Sequence, residues 1–292
     1  MDLENYILDV FRRFSEANIY FGHGTDNAYD EAVYLVFGIL GIDVNADIQL
    51  VNRVLQEFEL EYLEVNVKHR IKDHIPVAYL AGETYFAGFK FFSDRRALIP
   101  RSPIAELIMN KFQPLLKDTP RRILDLCTGS GCIGIAIANY FENSEIDISD
   151  NNKDCLQLAA KNIDLYDLSG RVHLIHSNLF DDITDKYDLI VCNPPYISKE
   201  EYDALPIEYL HEPRTSLISD DFGLAIPRKI LHGSAEYLTE TGLLIMEVGF
   251  SDSELIKYYP DAPFLWLEFD RGGRGVFALT AGQLVEFFKE LN

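Results

Sequence analysis

Arg122-Ile-Leu-Asp-Leu-Cys-Thr-Gly-Ser-Gly-Cys-Ile-Gly-Ile-Ala136 passes from a short apolar run through a glycine turn directly into a small-residue helical pattern. It reads as a buried strand, a tight loop and a helix, the opening unit of an α/β sheet. Gly129 and Gly131 let the backbone come close to a ligand. Downstream, short apolar runs alternate with helical patterns: Ile146-Asp-Ile148, Val172-His-Leu-Ile175, Leu189-Ile-Val-Cys192 and Leu243 to Val248. That rhythm predicts a doubly wound, mostly parallel sheet. At the tail, Phe264 to Phe269, the Gly272-Gly273 region and Gly275 to Leu279 read as strand, connection and strand, which predicts an antiparallel hairpin.

Upstream the periodicity is helical. Leu3, Ile7, Val10, Phe11 and Phe14 form one stripe, and Val51, Leu55 and Phe58 lie in a second. A small helical domain is expected over residues 1–82, with Phe21-Gly-His-Gly-Thr-Asp-Asn27 as an internal loop. His23 in that loop is read as incidental. Thr84 to Phe92, a polar Ser93-Asp94 turn and Arg95 to Pro100 predict a linking hairpin over 83–100. Ser102 and Pro103 supply a cap and a first-turn proline for a helix carrying Ile104, Leu107, Ile108 and Phe112, which opens a domain over 101–292.

The chain of 292 residues is 48% apolar and 25% charged, enough for one full core and a smaller second one. No run reaches the roughly 18 apolar residues of a membrane span, and Met1-Asp-Leu-Glu-Asn5 is acidic where a signal peptide is basic. A cytoplasmic location without membrane contact is expected. Cys127, Cys132, Cys155 and Cys192 lack the spacing of a zinc site or a disulfide framework, so they read as reduced thiols and no metal is expected. The formal net charge of −21 disfavours a phosphate backbone as direct substrate and suits a basic protein partner.

Two acids flank the glycine loop: Asp125 before it, and Asp150 at the end of the next strand, where ribose hydroxyls are bound in such sheets. A nicotinamide cofactor uses a similar layout, its fingerprint resting on a third glycine where the loop runs Gly131-Cys-Ile-Gly134. The acid-led spacing of Asp125 to Gly131, D-x-x-x-G-x-G, resembles the S-adenosylmethionine loop of methyltransferases better. A sulfonium and an amino-acid tail suit acids and carbonyls more than a helix N-terminus tuned for phosphate.

After the fourth strand comes Asn193-Pro-Pro-Tyr196. Pro194 and Pro195 withhold backbone donors and stiffen the loop. The Pro194 carbonyl and the Asn193 side-chain oxygen can together accept hydrogen bonds from one planar NH2, while Tyr196 offers a stacking face. Such a grip fits an amide or an amino-substituted base. Two acceptors aimed at the amide hydrogens favour a pyramidal, charge-bearing transition state, and no strong base is needed before transfer.

Taken together, these motifs resemble the protein-glutamine N5-methyltransferases over nearly the whole chain. Ile99-Pro-Arg-Ser-Pro-Ile-Ala-Glu-Leu107 is similar to the ribosomal-protein branch, whereas release-factor enzymes typically carry a proline-acid-threonine sequence after the arginine. Phe21 to Asn27, Ile75 to Leu80, His211-Glu-Pro213 and Leu265 to Asp270 look like the same branch. The resemblance implies a class I S-adenosylmethionine-dependent methyltransferase: a Rossmann-like seven-stranded sheet with a C-terminal antiparallel hairpin, and N-terminal helices that recognise substrate. The implied substrate is a glutamine of large-subunit ribosomal protein three, and S-adenosylhomocysteine is the implied product.

By position, the resemblance assigns Asp125, Cys127, Thr128, Gly129, Ser130 and Gly131 to the cofactor, Asp150 to its ribose and Asn193 to Tyr196 to the amide, with Asn193 also bordering the cofactor. In the segment His176-Ser-Asn-Leu-Phe180, Asn178 beside Leu179 replaces the aspartate usual for the adenine amino group. An amide oxygen still accepts there. Three competitors remain: an N6-adenine nucleic-acid methyltransferase, which grips an adenine amino group with the same tetrapeptide; a release-factor methyltransferase; and a non-catalytic ribosome assembly factor. Arg101 and Glu212 fall in loops that border the amide site or simply pack.

Overall fold

The computed structural model describes residues 1–43 and 52–288. Asp2 caps the first helix, α1 (Leu3–Glu16), by accepting from Asn5 N at 2.9 Å, and Asn27 caps α2 (Ala28–Leu40) through Asp30 N. Helices α3 (Glu57–Lys72) and α4 (Val77–Ala81) complete the N-terminal part. Leu3, Val10, Phe14, Leu35, Leu63 and Val67 form its core, which is separate from those of the sheet.

Two members of the expected stripes lie outside this core. Phe11 is 36% exposed and meets Tyr29 edge-on, because the neighbouring Val10 and Phe14 already occupy the buried face. Phe58 is 70% exposed: α3 starts at Glu57, so Leu55, which is buried, precedes the helix and cannot share its stripe. Val51 lies outside the described residues.

The aromatic run Thr84 to Phe92 is itself a hairpin. Strands β1 (Glu83–Phe86) and β2 (Phe89–Phe92) pair antiparallel about Ala87-Gly88, whose φ values of 48° and 87° make the two-residue turn. The expected turn at Ser93-Asp94 and strand at Arg95 to Pro100 are not formed. Asp94 instead binds Arg96 and holds that stretch in turns. Helix α5 (Ile104–Met109) opens one residue later than expected, with Pro103 and not Ser102 at its cap position, although Ser102 Oγ still accepts from Ile104 N at 3.2 Å; it ends before Phe112.

Among the described residues, a seven-stranded sheet carries the rest: β3 (Arg122–Leu126), β4 (Glu145–Asp150), β5 (Val172–His176), β6 (Tyr187–Cys192), β7 (Leu238–Glu247), β8 (Leu265–Trp266) and β9 (Val276–Thr280). Its order is β5-β4-β3-β6-β7-β9-β8, parallel from β5 to β7 and antiparallel at β9 and β8. This is the class I methyltransferase architecture. The last hairpin is shorter than the run Phe264 to Phe269 suggests: Leu265 and Trp266 pair with β9, and after Leu267 N donates to the Val276 carbonyl at 2.9 Å the chain leaves the edge.

Helices α6 (Cys132–Tyr140) and α7 (Lys153–Leu165) join α5 on one face, over Ile123, Ile146, Ile148, Leu189 and Val191. After the short α8 (Lys199–Asp203), helices α9 (Ala225–Tyr237), α10 (Asp252–Tyr258) and α11 (Ala281–Phe288) cover the other, over Leu124, Leu126, Ile190, Leu244 and Met246. Burial on both faces explains why the strands read as continuous apolar runs. From β3 the chain winds outward to β4 and β5, then returns to place β6 on the other side of β3. That reversal opens a crevice beyond the carboxyl ends of β3 and β6, where open α/β sheets bind ligands.

Candidate active site

At the end of β3 the chain turns sharply. Cys127 (φ 61°) and Gly129 (φ 58°) both take the left-handed conformation, and Gly131 (φ 82°) leads into α6. A side chain on Gly131 would lie 2.9 Å from Ile135 and 3.1 Å from Ala159, so only glycine lets the loop lie down between α6 and α7. Gly134 supplies the third glycine of the spacing and meets the sheet: a Cβ there would approach Ile148 to 2.3 Å. Its role is helix packing, so glycine count alone does not separate a nicotinamide from a sulfonium ligand.

Asp125 lies beneath the loop, with no exposed surface. Its Oδ2 accepts from Gly134 N at 2.9 Å and from the Thr128 hydroxyl, while Oδ1 has no partner. Burial raises its pKa to about 7, and those two hydrogen bonds only partly oppose the rise. Asp150 ends β4 and spans the crevice floor, Oδ2 accepting from Gly129 N at 2.9 Å and Oδ1 from Asn152 N at 2.8 Å. Burial raises its pKa as well.

The crevice wall brings together Cys127, Thr128, Gly129, Ser130, Asp150, Asn178, Leu179, Asn193 and Pro195. Asp125 and Gly131 support it from behind. The side-chain oxygens of Ser130 and Ser149, both on the wall, are buried without partners. Asn178 donates its amide to Asp181 Oδ2 at 3.0 Å, which leaves its carbonyl oxygen to accept from a ligand. Leu179 holds φ 55°, strained for a branched side chain and a mark of a constrained loop.

Beyond Asn193 the crevice meets a second pocket of about 460 Å3, lined by Asn193, Pro194, Tyr196, Arg101, Tyr209 and Glu247 among others. Leu98, Arg101, Asn193 and Ser216 border both spaces. Asn193 Oδ1 is buried and has no hydrogen-bond partner. An unpaired buried acceptor at this junction costs stability unless a ligand donates to it.

Tyr196 is tightly seated. Its hydroxyl donates to Glu247 Oε1 at 2.7 Å and its carbonyl accepts from Ser251 Oγ at 2.7 Å. A Cβ on Gly249 would lie 2.5 Å from the ring, and one on Gly223 only 2.0 Å from the carbonyl oxygen. Gly249→Ala, at φ 49°, therefore displaces the ring. The expected result is a loss of turnover of up to about a hundredfold, measured against unchanged cofactor affinity by calorimetry.

Three features go beyond the sequence reading, which placed Arg101 and Glu212 only in loops that border the amide site or pack. Glu247, a charged residue closing the apolar run from Leu243, was the available signal for the first. Next, Arg101 and Glu212 form a bidentate pair at 2.6 and 2.8 Å, with Arg101 5.2 Å from the Tyr209 ring centre. The third is His23, which the sequence leaves as incidental: it is buried with Nε2 3.6 Å from Glu212 Oε2. Burial would raise the Glu212 carboxyl, yet Arg101 and His23 outweigh it and hold it at about 2.

Comparison with known proteins bears on all of this. The methyltransferase small domain family matches residues 105–220. The ribosomal protein uL3 glutamine methyltransferase of Francisella tularensis is 42% identical over 288 residues, covering 98% of this chain and 92% of its own. That of Neisseria gonorrhoeae is 42% identical over 285 residues, covering 96% and 95%. Among solved structures, the hMettl16 catalytic domain in complex with a MAT2A 3'UTR hairpin is 19% identical and aligns with a TM-score of 0.54 over 85% of this chain and 91% of its own. That likeness concerns the fold.

Proposed function

Because the chain belongs to the ribosomal protein uL3 glutamine methyltransferases, it is an S-adenosylmethionine-dependent protein glutamine methyltransferase, and we propose that it methylates the side-chain amide nitrogen of a uL3 glutamine at the junction marked by Asn193. The observation that carries this assignment is the buried, unpartnered Asn193 Oδ1 where the two pockets meet. An amide NH2 is the donor that would satisfy it.

The residues present fit the cofactor. Asp150 offers its remaining lone pairs to ribose hydroxyls, Asn178 its carbonyl to an adenine amino group, and the 127–131 backbone with the unpartnered Ser130 and Ser149 hydroxyls lies open to the polar tail. When bound, S-adenosylmethionine supplies a methyl group made electrophilic by its sulfonium. Asp150→Ala should weaken cofactor binding by about 10-fold or more, as one charged hydrogen-bonding group is worth about 1.5–3 kcal/mol. Calorimetric titration reads it directly, and an unchanged Kd would remove Asp150 from the site.

Toward the substrate, Asn193 Oδ1 and the Pro194 carbonyl each accept one amide N–H, which fixes the nitrogen and turns its lone pair toward the methyl group. The amide is a poor nucleophile because its lone pair is delocalised. Both acceptors gain strength as positive charge grows on nitrogen, so their contribution is largest in the transition state. Tyr196 covers one face of the amide, and Pro194 with Pro195 keeps the loop from yielding.

We read residues 1–82 as the substrate-recognition part, 83–100 as the link and 101–292 as the methyltransferase. The separate core of the N-terminal helices supports that division. The net charge of −21 suits a basic ribosomal protein, and the reaction is placed in the cytoplasm, where such a substrate is met. No described helix is long and apolar enough to cross a membrane. The deciding experiment incubates the protein with labelled cofactor and separated ribosomal proteins, release factors and DNA, then maps the labelled residue by mass spectrometry. Label on a uL3 glutamine is expected; label on DNA or a release factor would overturn the assignment.

A further inference from the structure

Glu247 lies at the carboxyl end of β7, next to β6, and is 5% exposed. Its two oxygens have different partners: Oε1 accepts from the Tyr196 hydroxyl at 2.7 Å, and Oε2 accepts from the Ser102 hydroxyl ahead of α5. The carboxyl therefore ties together two segments 94 residues apart in sequence, the tetrapeptide loop and the entry to α5, from a position on the wall of the amide pocket.

We propose that Glu247 is a positioning residue for methyl transfer: through its Tyr196 and Ser102 hydrogen bonds it fixes the Tyr196 ring at the height and tilt the amide requires. Where side chains would otherwise brace it, the structure has glycine: a Cβ on Gly249 would meet the ring at 2.5 Å, so that side is held by backbone alone. The Gly249 backbone limits how the ring plane turns, while the position of the ring's far end is fixed by its hydroxyl, whose acceptor is Glu247. Burial raises the Glu247 carboxyl and its two donors oppose the rise, so the site has invested polar contacts in keeping this group in place. A leucine or methionine ending β7 would complete the apolar run Leu243 to Met246 and leave the Tyr196 hydroxyl unpaired.

This inference rests on the proposed amide site, and its test separates the two. Wild-type protein, Glu247→Ala, Glu247→Gln, Tyr196→Phe and the double variant Glu247→Ala/Tyr196→Phe are assayed for kcat and KM with uL3, and for cofactor Kd by calorimetry. Glutamine can accept from Tyr196 through its carbonyl and donate to Ser102, so Glu247→Gln should keep kcat within about threefold. Glu247→Ala should lower kcat by about 10- to 100-fold with KM and cofactor Kd within about threefold, as expected for a misplaced ring over a bound substrate. Tyr196→Phe should lower kcat comparably, and the double variant should be no worse than the more damaging single change.

A Glu247→Gln loss as large as that of Glu247→Ala would mean that the charge matters and would overturn the positioning role. So would additive losses in the double variant, or an unchanged kcat for Glu247→Ala. Should Glu247→Ala fold poorly, Glu247→Gln and Tyr196→Phe carry the comparison by themselves, since each keeps the volume of its site. Wild-type protein that leaves uL3 unlabelled while binding cofactor would count against the amide site, independently of how the variants rank.

Discussion

Asn193→Ala is expected to lower kcat by about 10²- to 10³-fold while cofactor affinity stays within a few fold. The asymmetry follows from where the side chain points. Its Oδ1 is the buried acceptor without a partner, placed where the cofactor crevice opens into the amide pocket. Alanine removes one of two acceptors for the amide hydrogens, and does so when positive charge is developing on nitrogen, so the loss falls on the transition state more than on ground-state binding. Asn193→Asp keeps an acceptor and should lose less. Single-turnover kinetics with saturating substrate, paired with cofactor titration, distinguish these outcomes. Full turnover by the alanine variant would show that the tetrapeptide does not grip the amide.

The second large effect is on stability. Arg101→Ala leaves Glu212 without its bidentate partner in a site where the Glu212 side chain has no exposed surface. Breaking one side of a buried pair costs up to about 3–5 kcal/mol, because the remaining carboxylate keeps only Ile99 N, at 2.9 Å, and His23, at 3.6 Å. For a chain of this size each kcal/mol lowers Tm by roughly 2–4 °C, so a fall of about 10 °C is expected. Arg101→Met/Glu212→Gln should recover most of it, as neither position then holds a charge.

The sign with pH is fixed by the same pair. Glu212 titrates at about 2 in the fold against 4.5 when free, so its contribution is complete above 4.5 and is lost as pH falls through 2. The Tm gap between wild type and Arg101→Ala should therefore be widest at neutral pH and shrink in acid. A gap independent of pH would show that the loss comes from packing and not from the carboxylate.

How much of this was written in the sequence depends on the range of the interactions involved. The glycine loop and the tetrapeptide are local: each is one strand end with its turn, and residue type fixes their backbone directly. The alternating runs also give the doubly wound, mostly parallel sheet, whereas its seven strands came from the resemblance and their order is seen only in the fold. The hairpin was misplaced for a local reason too, because Ala87 takes a conformation normally left to glycine or asparagine and so hides the turn. Phe58 was misassigned because the periodicity was followed across the true start of α3.

What sequence could not show is side-chain pairing over long separations. Arg101 meets Glu212 across 111 positions and Ser102 meets Glu247 across 145. Arg70 is a third case, buried at 1% exposure and bound to Glu31, to Glu208 and to the Tyr20 carbonyl. The sequence presents these as scattered polar and charged residues on separate helices, a strand and loops. Only the fold shows that the segment Ile207–His211 lies between the N-terminal helices and the amide pocket, held through Glu208 by buried Arg70 and through the adjoining Glu212 by the partly buried Arg101.

The pairing of β3 with β6 carries one more consequence. Asp125 is level with Val191 and Leu126 with Cys192, so the loops that leave these strands start one interstrand spacing apart, about 4.8 Å. The starting separation of the glycine loop and the tetrapeptide loop is thus inherited from main-chain hydrogen bonding between β3 and β6. Elements that cover the acceptor loop can be exchanged without resetting that separation. A chimera that grafts the N-terminal helices and the 199–216 segment of a relative with another target onto this sheet should then change which protein is modified while the rate of the chemical step carries over.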